Sequence, residues 1–464
     1  MFARRVFCFI LFSVLTASSL STAVLRWDWD RIDTSVENLY FPQDFLFGVA
    51  TSSYQVEGGC TNNQWVAHEC KTRDKKGRLR MPEPSGVACD HWNRYEEDVQ
   101  LIKNVNANAY RFSVEWSKIE PREGQFNEEA LQHYADVCDE LLRNGIKPIL
   151  TIHHYTEPIW FFERGSFEKE ENIKYYVRFA EKLFERLGNR VHLWITFSSP
   201  IGYSMKGYCT GEQPPYKKNT QLATEVLKNL LEAHVQAYKK MKSLPGGQDA
   251  QIGISKTIYQ LDPVNSWDVL AKLYTSIANK LKDKPIYEFF TTGTFKVKIP
   301  FMVNVKHVNE CAPKSLDFIA LSYYSHGGVK GFKTCRYPGE AGVRKANQTL
   351  YAEGLYRALE ELSENVAEKL HIPIYITENG YAFPEIDMRD LFLKRYLYAV
   401  SEAIKAGIDV RGYVYWSLMD NYEWGSYDDR YGLYWVDFKN GTLERTLKPS
   451  AQHFIDVAGR FASC

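Results

Sequence analysis

Pro373-Ile374-Tyr375-Ile376-Thr377-Glu378-Asn379-Gly380 is a short apolar, β-branched run that ends abruptly in a carboxylate, an amide and a glycine. It reads as a buried strand that delivers Glu378 to a rim. Taken alone, the same run also reads as an ordinary strand end with a solvated glutamate. A positioned nucleophile or acid/base needs a second carboxylate nearby, so the rest of the chain decides between the two.

On either side of this run the pattern alternates. Helical periodicity covers Tyr351–Leu370 before it and Met388–Ala406 after it, followed by a strand at Val410–Trp416 and a helix at Pro449–Ala458. Towards the N-terminus, strand-like runs fall at Phe45–Ala50, Ala109–Val114, Ile146–His153, Val191–Phe197, Gln251–Ile258 and Asp317–Ser322. Helical stretches fall at Trp92–Asn104, Glu128–Asn144, Glu170–Leu187, Thr220–Met241 and Ser266–Leu281. Gly145 and Gly188 stand where two of these helices should stop. Gly58 to Ser85, with Pro82 and Pro84, reads as an extended loop. Several strands are continuous apolar runs, as strands covered by helices are. Eight strands alternating with helices, with no linker-like break, predict an α/β chain folded as a single (β/α)8 barrel. Such barrels with insertions accommodate the 464 residues as one domain.

Composition narrows the function. The chain has 57 basic and 57 acidic residues, so nothing steers it towards nucleic acid or an anionic membrane. No C-x-x-C or clustered His/Cys spacing suggests zinc, and no cofactor is expected. Arg4 and Arg5 precede an apolar run, Val6 to Leu15, too short to span a bilayer, and Ser21-Thr22-Ala23 offers a cleavage site. Residues 1–23 therefore read as a secretory signal, the mature chain as lacking a transmembrane segment, and the protein as secreted or in the lumen of the secretory pathway. Eight cysteines remain after the signal. An exported chain permits disulfides, with pairs expected within Cys60, Cys70 and Cys89 and between Cys311 and Cys335. Asn347-Gln348-Thr349 and Asn440-Gly441-Thr442 match the glycosylation sequon.

In a (β/α)8 barrel the active site sits where the C-terminal ends of the strands meet. Those ends carry Tyr54, Gln55 and Glu57; Arg111, Glu115 and Trp116; His153-His154-Tyr155-Thr156-Glu157; Ser198-Ser199; Ser322-Tyr323-Tyr324; Glu378; and Trp416-Ser417 followed by Asp420, Asn421, Glu423 and Trp424. Amides, carboxylates, an imidazole and indoles at so many ends point to a pocket for a hydroxyl-rich ligand.

Phe47-Gly48-Val49-Ala50-Thr51, Tyr54-Gln55-Val56-Glu57-Gly58, Tyr110-Arg111-Phe112-Ser113-Val114-Glu115-Trp116, Ile376-Thr377-Glu378-Asn379-Gly380, Trp416 to Trp424 and Arg430-Tyr431-Gly432-Leu433 together resemble glycoside hydrolase family 1, from about residue 40 to 464. The resemblance implies a (β/α)8 barrel that hydrolyses β-glycosides, usually β-glucosides, with retention. It makes Glu378 the nucleophile, with Arg111 and Tyr324 holding its carboxylate. It assigns Gln55, His154, Glu423 and Trp424 to the sugar hydroxyls and Trp416 to the floor under the sugar.

One motif departs. The family's strand-four motif is Thr-Phe-Asn-Glu-Pro, whose Glu is the acid/base and whose Asn binds the 2-hydroxyl. This chain has Thr196-Phe197-Ser198-Ser199-Pro200. The substrate-binding position is therefore Ser198 and the acid/base position Ser199, and Ser322 stands where the family has another Asn. Glu157, on a neighbouring strand end, is the one candidate for a relocated acid. Two readings stay open. One is a glycosidase weakened by the missing acid, restricted to activated β-glycosides or helped by an external base, as in thioglucosidases of the family. The other is a klotho-like protein that binds a sugar ligand or a growth-factor receptor partner and has lost turnover.

Overall fold

The computed structural model describes residues 24–341, 349–382 and 388–462. The signal-like segment and Asn347 lie outside them.

Eight parallel strands close into a barrel: β1 Leu46–Ala50, β2 Ala109–Ser113, β3 Lys147–His153, β4 Leu193–Phe197, β5 Gln251–Pro263, β6 Phe318–Lys330, β7 Ile374–Asn379 and β8 Val410–Trp416. Each pairs with its sequence neighbour, and β8 pairs with β1 to complete the ring. The period of two sorts the side chains. Leu46, Ala109, Ile149, Leu193, Ile195, Phe318, Ala320 and Val414 fill the barrel interior. Phe47, Val49, Tyr110, Trp194, Ile319, Leu321, Ile374, Ile376 and Tyr413 belong instead to the larger core shared with the surrounding helices.

Those helices are α1 His91–Asn104, α2 Glu128–Arg143, α3 Ile173–Leu187, α4 Thr220–Lys242, α5 Val269–Thr292, α6 Glu353–Leu362, α7 Arg389–Lys405 and α8 Gln452–Phe461. Helix α3 shows why they pack: it buries Ile173, Tyr176, Phe179, Ala180, Leu183, Phe184 and Leu187, one face of a 3.6-residue repeat. Helix α2 starts at Asn127, whose side chain accepts from the backbone N–H groups of Glu129 (3.0 Å) and Ala130 (3.2 Å).

The eight strands and eight helices overlap the stretches read from the sequence, although α5 runs past the expected end at Leu281 to Thr292. Strands β5 and β6 run further than expected and continue to pair beyond the barrel, from Gln260 opposite His326 to Pro263 opposite Val329. A hairpin of Thr294–Ile299 with Val303–Val308 follows α5 and was not anticipated. The expected disulfides are not formed. The seven cysteines among the described residues are all unpaired. Several of the thiols are occupied otherwise, among them Cys89 Sγ donating to the Asp420 carbonyl (3.2 Å) and Cys70 Sγ to that of Pro82 (3.5 Å). Among the described residues no helix is long and apolar enough to cross a membrane.

Candidate active site

The end of β7 divides its residues by direction. Thr377 and Glu378 are followed by Asn379, whose amide donates to the Tyr323 carbonyl (2.5 Å) and accepts from the Tyr413 hydroxyl (2.8 Å), out of reach of ligand. Gly380 is required by close approach: a Cβ there would lie 1.7 Å from the Trp416 carbonyl oxygen. Glu378 alone of this group faces the cavity.

Its carboxylate is held at both oxygens. Arg111 Nη1 donates to Oε2 and the Tyr324 hydroxyl donates to Oε1. Arg111 is fully buried on β2, and its other bonds fix its plane: Nε to Thr151 Oγ1 (3.1 Å), Nη1 to the Thr377 carbonyl (3.3 Å) and Nη2 to Ser198 Oγ (3.0 Å). Burial pushes the Glu378 carboxyl up, but the Arg111 guanidinium and the Tyr324 phenol outweigh it and hold the group below the usual glutamate value. Glu378 is therefore ionised at neutral pH. Tyr324, pushed well above the ordinary tyrosine value by burial and by the Glu378 charge, stays a proton donor.

The sugar-facing side is assembled from three elements. Gln55, after β1, donates from Nε2 to Glu423 Oε2 (2.8 Å) and Asn421 Oδ1 (2.9 Å), and its oxygen accepts from Ser52 (2.7 Å). Trp424 packs on Trp65, with ring centroids 4.4 Å apart, and on Tyr155 at 5.4 Å. His154 lies between the indoles of Trp416 (5.9 Å) and Trp424 (6.0 Å). Burial lowers its pKa to about 3, helped by the nearby Arg111 charge, so the imidazole is neutral. Its buried Nδ1 has no partner within the protein. Gln55, His154, Tyr324, Glu378, Trp416, Glu423, Trp424 and Ser199 all line one cavity of about 810 Å³. That is within the usual range for a small-molecule site.

The fourth strand end differs. Ser199 sits in the left-handed region (φ 46°, ψ 67°), and its Oγ accepts from the Gly202 N–H (3.2 Å) and the Thr257 hydroxyl (2.6 Å). Thr257 stands opposite Ser322, and Ser322 opposite Glu378, so the three share one level of the barrel. Ser322 is turned to Ser255 (2.8 Å). Ser198 departs from expectation: it is buried as an acceptor for Arg111 and is absent from the cavity wall, because a serine is too short to satisfy the guanidinium and reach a ligand together. Glu157 also lies off the cavity. Its carboxyl is held by the hydroxyls of Ser166 and Tyr203 (3.2 Å to the latter), and burial raises its pKa to about 8. Besides Glu378 and Glu423, the lining carboxylate among the described residues is Glu212, exposed in the loop after β4.

Trp65 and Thr257 line the site without having been read from the sequence as site residues, and Tyr155, named there as part of the third strand end, lines it too. For Thr257 the signal was available, since a hydroxyl at the fifth strand end falls in the same series as Ser199 and Glu378.

Comparison with known proteins bears on this arrangement. A family model described as Glycosyl hydrolase family 1 matches residues 37–461. Beta-glucosidase A of Acetivibrio thermocellus is 30% identical, covering 91% of this chain and 99% of its own. Beta-glucosidase 42 of Arabidopsis thaliana is 32% identical, with 89% and 93% covered. Among solved structures, the family 1 β-glucosidase of Thermotoga maritima superposes with a TM-score of 0.81 at 28% identity, covering 91% and 99%. The β-glycosidase of Pyrococcus horikoshii gives 0.79 at 35%, covering 90% and 95%. The Thermotoga maritima enzyme has also been solved with castanospermine and with deoxynojirimycin.

Proposed function

This chain belongs to glycosyl hydrolase family 1, and from that premise we propose that it is a retaining β-glycosidase with Glu378 as nucleophile and no carboxyl group at the acid/base position. The observation that carries this reading is the ionised Glu378, held by Arg111 and Tyr324 and opening onto the same cavity as Gln55, His154, Glu423, Trp424 and Trp416. A Glu378 oxygen attacks the anomeric carbon, the bond to the aglycone oxygen breaks, and the electron pair leaves with that oxygen. Water then attacks the same carbon, displaces the carboxylate and releases its proton to solvent.

In the usual version a second carboxyl protonates the leaving oxygen and later deprotonates the water. Ser199 does neither near neutral pH. The reaction is thereby confined to aglycones that depart as stable anions, at a loss of about 10²–10⁴-fold for the others. We also read the chain as exported, on its N-terminal pattern and on the exposed Asn440 sequon.

The test is trapping. Incubation with a 2-fluoro-2-deoxyglucoside of an acidic phenol should leave one glycosyl adduct on Glu378, seen by peptide mass spectrometry. Azide should speed turnover of dinitrophenyl β-glucoside and yield the β-glucosyl azide. No adduct, with an iminosugar still bound, would leave a sugar-binding protein without catalysis.

A further inference from the structure

Where β5 and β6 run on beyond the closed barrel they carry a buried charge cluster. His326 on β6 is fully buried. Its Nε2 lies 3.0 Å from Asp262 Oδ2 on β5, and its Nδ1 lies 3.0 and 3.1 Å from the two oxygens of Glu340. A neutral imidazole donates from one nitrogen only, so serving both carboxylates takes the imidazolium. The rings of Tyr337 and Tyr351 pack against it with centroids 4.5 and 4.4 Å away, a setting that favours a cation. Burial opposes the charge, but the bonds to Asp262 and Glu340 outweigh it and hold the ring above the ordinary histidine pKa.

The cluster ties distant segments together. Asp262 is also held by Arg357 of α6, at 2.6 and 3.3 Å. Glu340, in segment 336–341, takes the Thr349 hydroxyl and, at 2.5 Å, Arg26 of the N-terminal arm. The Arg26 guanidinium lies over the rings of Tyr337 (5.0 Å) and Tyr351 (4.8 Å). Next to it the Trp27 N–H and the Trp29 indole donate to Glu353 of α6 (3.0 and 3.1 Å), and Arg395 of α7 lies over the Trp29 ring at 4.8 Å. Loss of the His326 proton would put a nitrogen lone pair 3.0 Å from a buried carboxylate. Asp262 keeps its two-pronged arginine, so the side that yields is Glu340, whose cation Arg26 has a side chain 42% exposed.

Both supports of Glu378 adjoin this cluster. His326 follows Tyr324, which holds Glu378 Oε1, and Ser325, which lines the cavity. The carbonyl of Ala341, next to Glu340, accepts from the hydroxyl of Tyr381 (2.9 Å), just past Glu378 on the chain. We infer that His326 is a proton-operated latch: its imidazolium docks the N-terminal arm and segment 336–341 against the supports of Glu378, and loss of the proton frees both and slows attack by Glu378. Because the folded pKa is raised, the latch's contribution is fully present below the ordinary histidine value of about 6.5 and is lost as pH rises through the folded value.

Hydrogen exchange of the intact protein tests the latch, with rates expressed as protection factors so that the intrinsic pH dependence cancels. Amides in 25–29 and 336–341 should be protected at about pH 6 and about tenfold less so, or lower, at about pH 9. The rate of Glu378 labelling by the 2-fluoro-2-deoxyglucoside should fall with the same midpoint. In Glu340→Gln the new amide can donate to an unprotonated Nδ1 and accept from a protonated one, so the step should vanish from both readouts. His326→Gln, which has no titrating ring, should abolish it as well and serves if the first variant folds poorly. Equal protection at both pH values, or a step that persists in both variants, would overturn the latch. A step in exchange without one in labelling would overturn its coupling to Glu378. Absence of labelling at every pH would instead count against the glycosidase reading, and the exchange step would still decide the latch.

Discussion

Restoring a carboxyl group at the end of β4 separates a missing acid from a dead site. In Ser199→Glu the backbone already holds a non-glycine residue at φ 46°, so no new conformation is demanded. Beside Ser199 the space is full, since even a Cβ on Gly202 would meet Ser199 Oγ at 2.6 Å and the Tyr155 hydroxyl at 2.4 Å. The longer side chain is left with the cavity, which Ser199 lines. It gives up the cap on Gly202 N–H, worth about 1 kcal/mol, and Thr257 becomes available as a donor to the new carboxylate. The melting temperature should fall by no more than about 4 °C. Against that, proton transfer to the leaving oxygen should return about 10²–10⁴-fold in rate on alkyl β-glucosides, or ~3–5 kcal/mol of barrier. On dinitrophenyl β-glucoside the gain in kcat/KM, which reports the first step alone, should stay under about tenfold, kcat should rise as the water step regains its base, and azide acceleration should disappear. Initial rates on the two substrates, with and without azide, give all of these quantities. The reasoning is refuted if Glu378 is trapped normally in the variant while alkyl glucosides remain as slow as before, or if both substrates gain equally.

Removing Arg111 should be costly for fold and chemistry together. Arg111→Met leaves Glu378 buried without its counter-charge, a loss of ~3–5 kcal/mol by chemical denaturation, and the trapped adduct should vanish. Because the Glu378 pKa is depressed in the folded protein, its contribution to stability is present above the ordinary carboxylate range and lost as pH falls; in the variant this acid-side slope should shrink. Glu157 has the opposite sign. With its folded pKa raised to about 8, its contribution is present below the ordinary glutamate value and lost as pH rises to about 8. Glu157→Gln should therefore gain on wild type by a few kcal/mol between about pH 5 and 8, with Glu378 trapping unchanged, and loss of trapping or of turnover would make Glu157 part of the chemistry. Gly380→Ala, whose Cβ would fall 1.7 Å from the Trp416 carbonyl, should lose ~3 kcal/mol or more, and a normal melting temperature would contradict the packing at the end of β7.

What the sequence disclosed and what it withheld follow from the range of the interactions involved. Strand and helix positions were legible because burial imposes local periods, two along β2 and 3.6 along α3. The hairpin had the same kind of signal, with Phe295, Val297 and Ile299 alternating with polar residues, but no turn dipeptide of the kind that marks a hairpin stands between its strands. Site residues were legible where a side chain stood at a strand end with its motif around it. Their contacts were not. The bond from Arg111 to Glu378 spans 267 residues and that from Gln55 to Glu423 spans 368, and nothing local encodes either. Ser198 could be read as facing a sugar only until the guanidinium behind it was located. The cysteines misled for a related reason: pairing within one loop is possible by spacing, but each thiol's environment is set by distant segments, as Asp420 sets that of Cys89.

The Arg111–Glu378 pair bears on why a site without an acid should still be read as a site. A buried ion pair seldom earns its place through stability, since well-packed apolar residues of similar volume usually do as well or better. Here the arrangement is dearer still. Arg111 is fully buried and occupied by four acceptors, on Thr151, Thr377, Glu378 and Ser198, while the Glu378 side chain keeps 12% of its surface open to the cavity. A structural carboxylate would turn its oxygens into the protein, as Glu157 does towards Ser166 and Tyr203. Glu378 instead presents an ionised oxygen to an 810 Å³ cavity with a neutral imidazole and two indoles around it. That geometry suits attack on a bound carbon, and the adduct experiment decides whether Glu378 makes it.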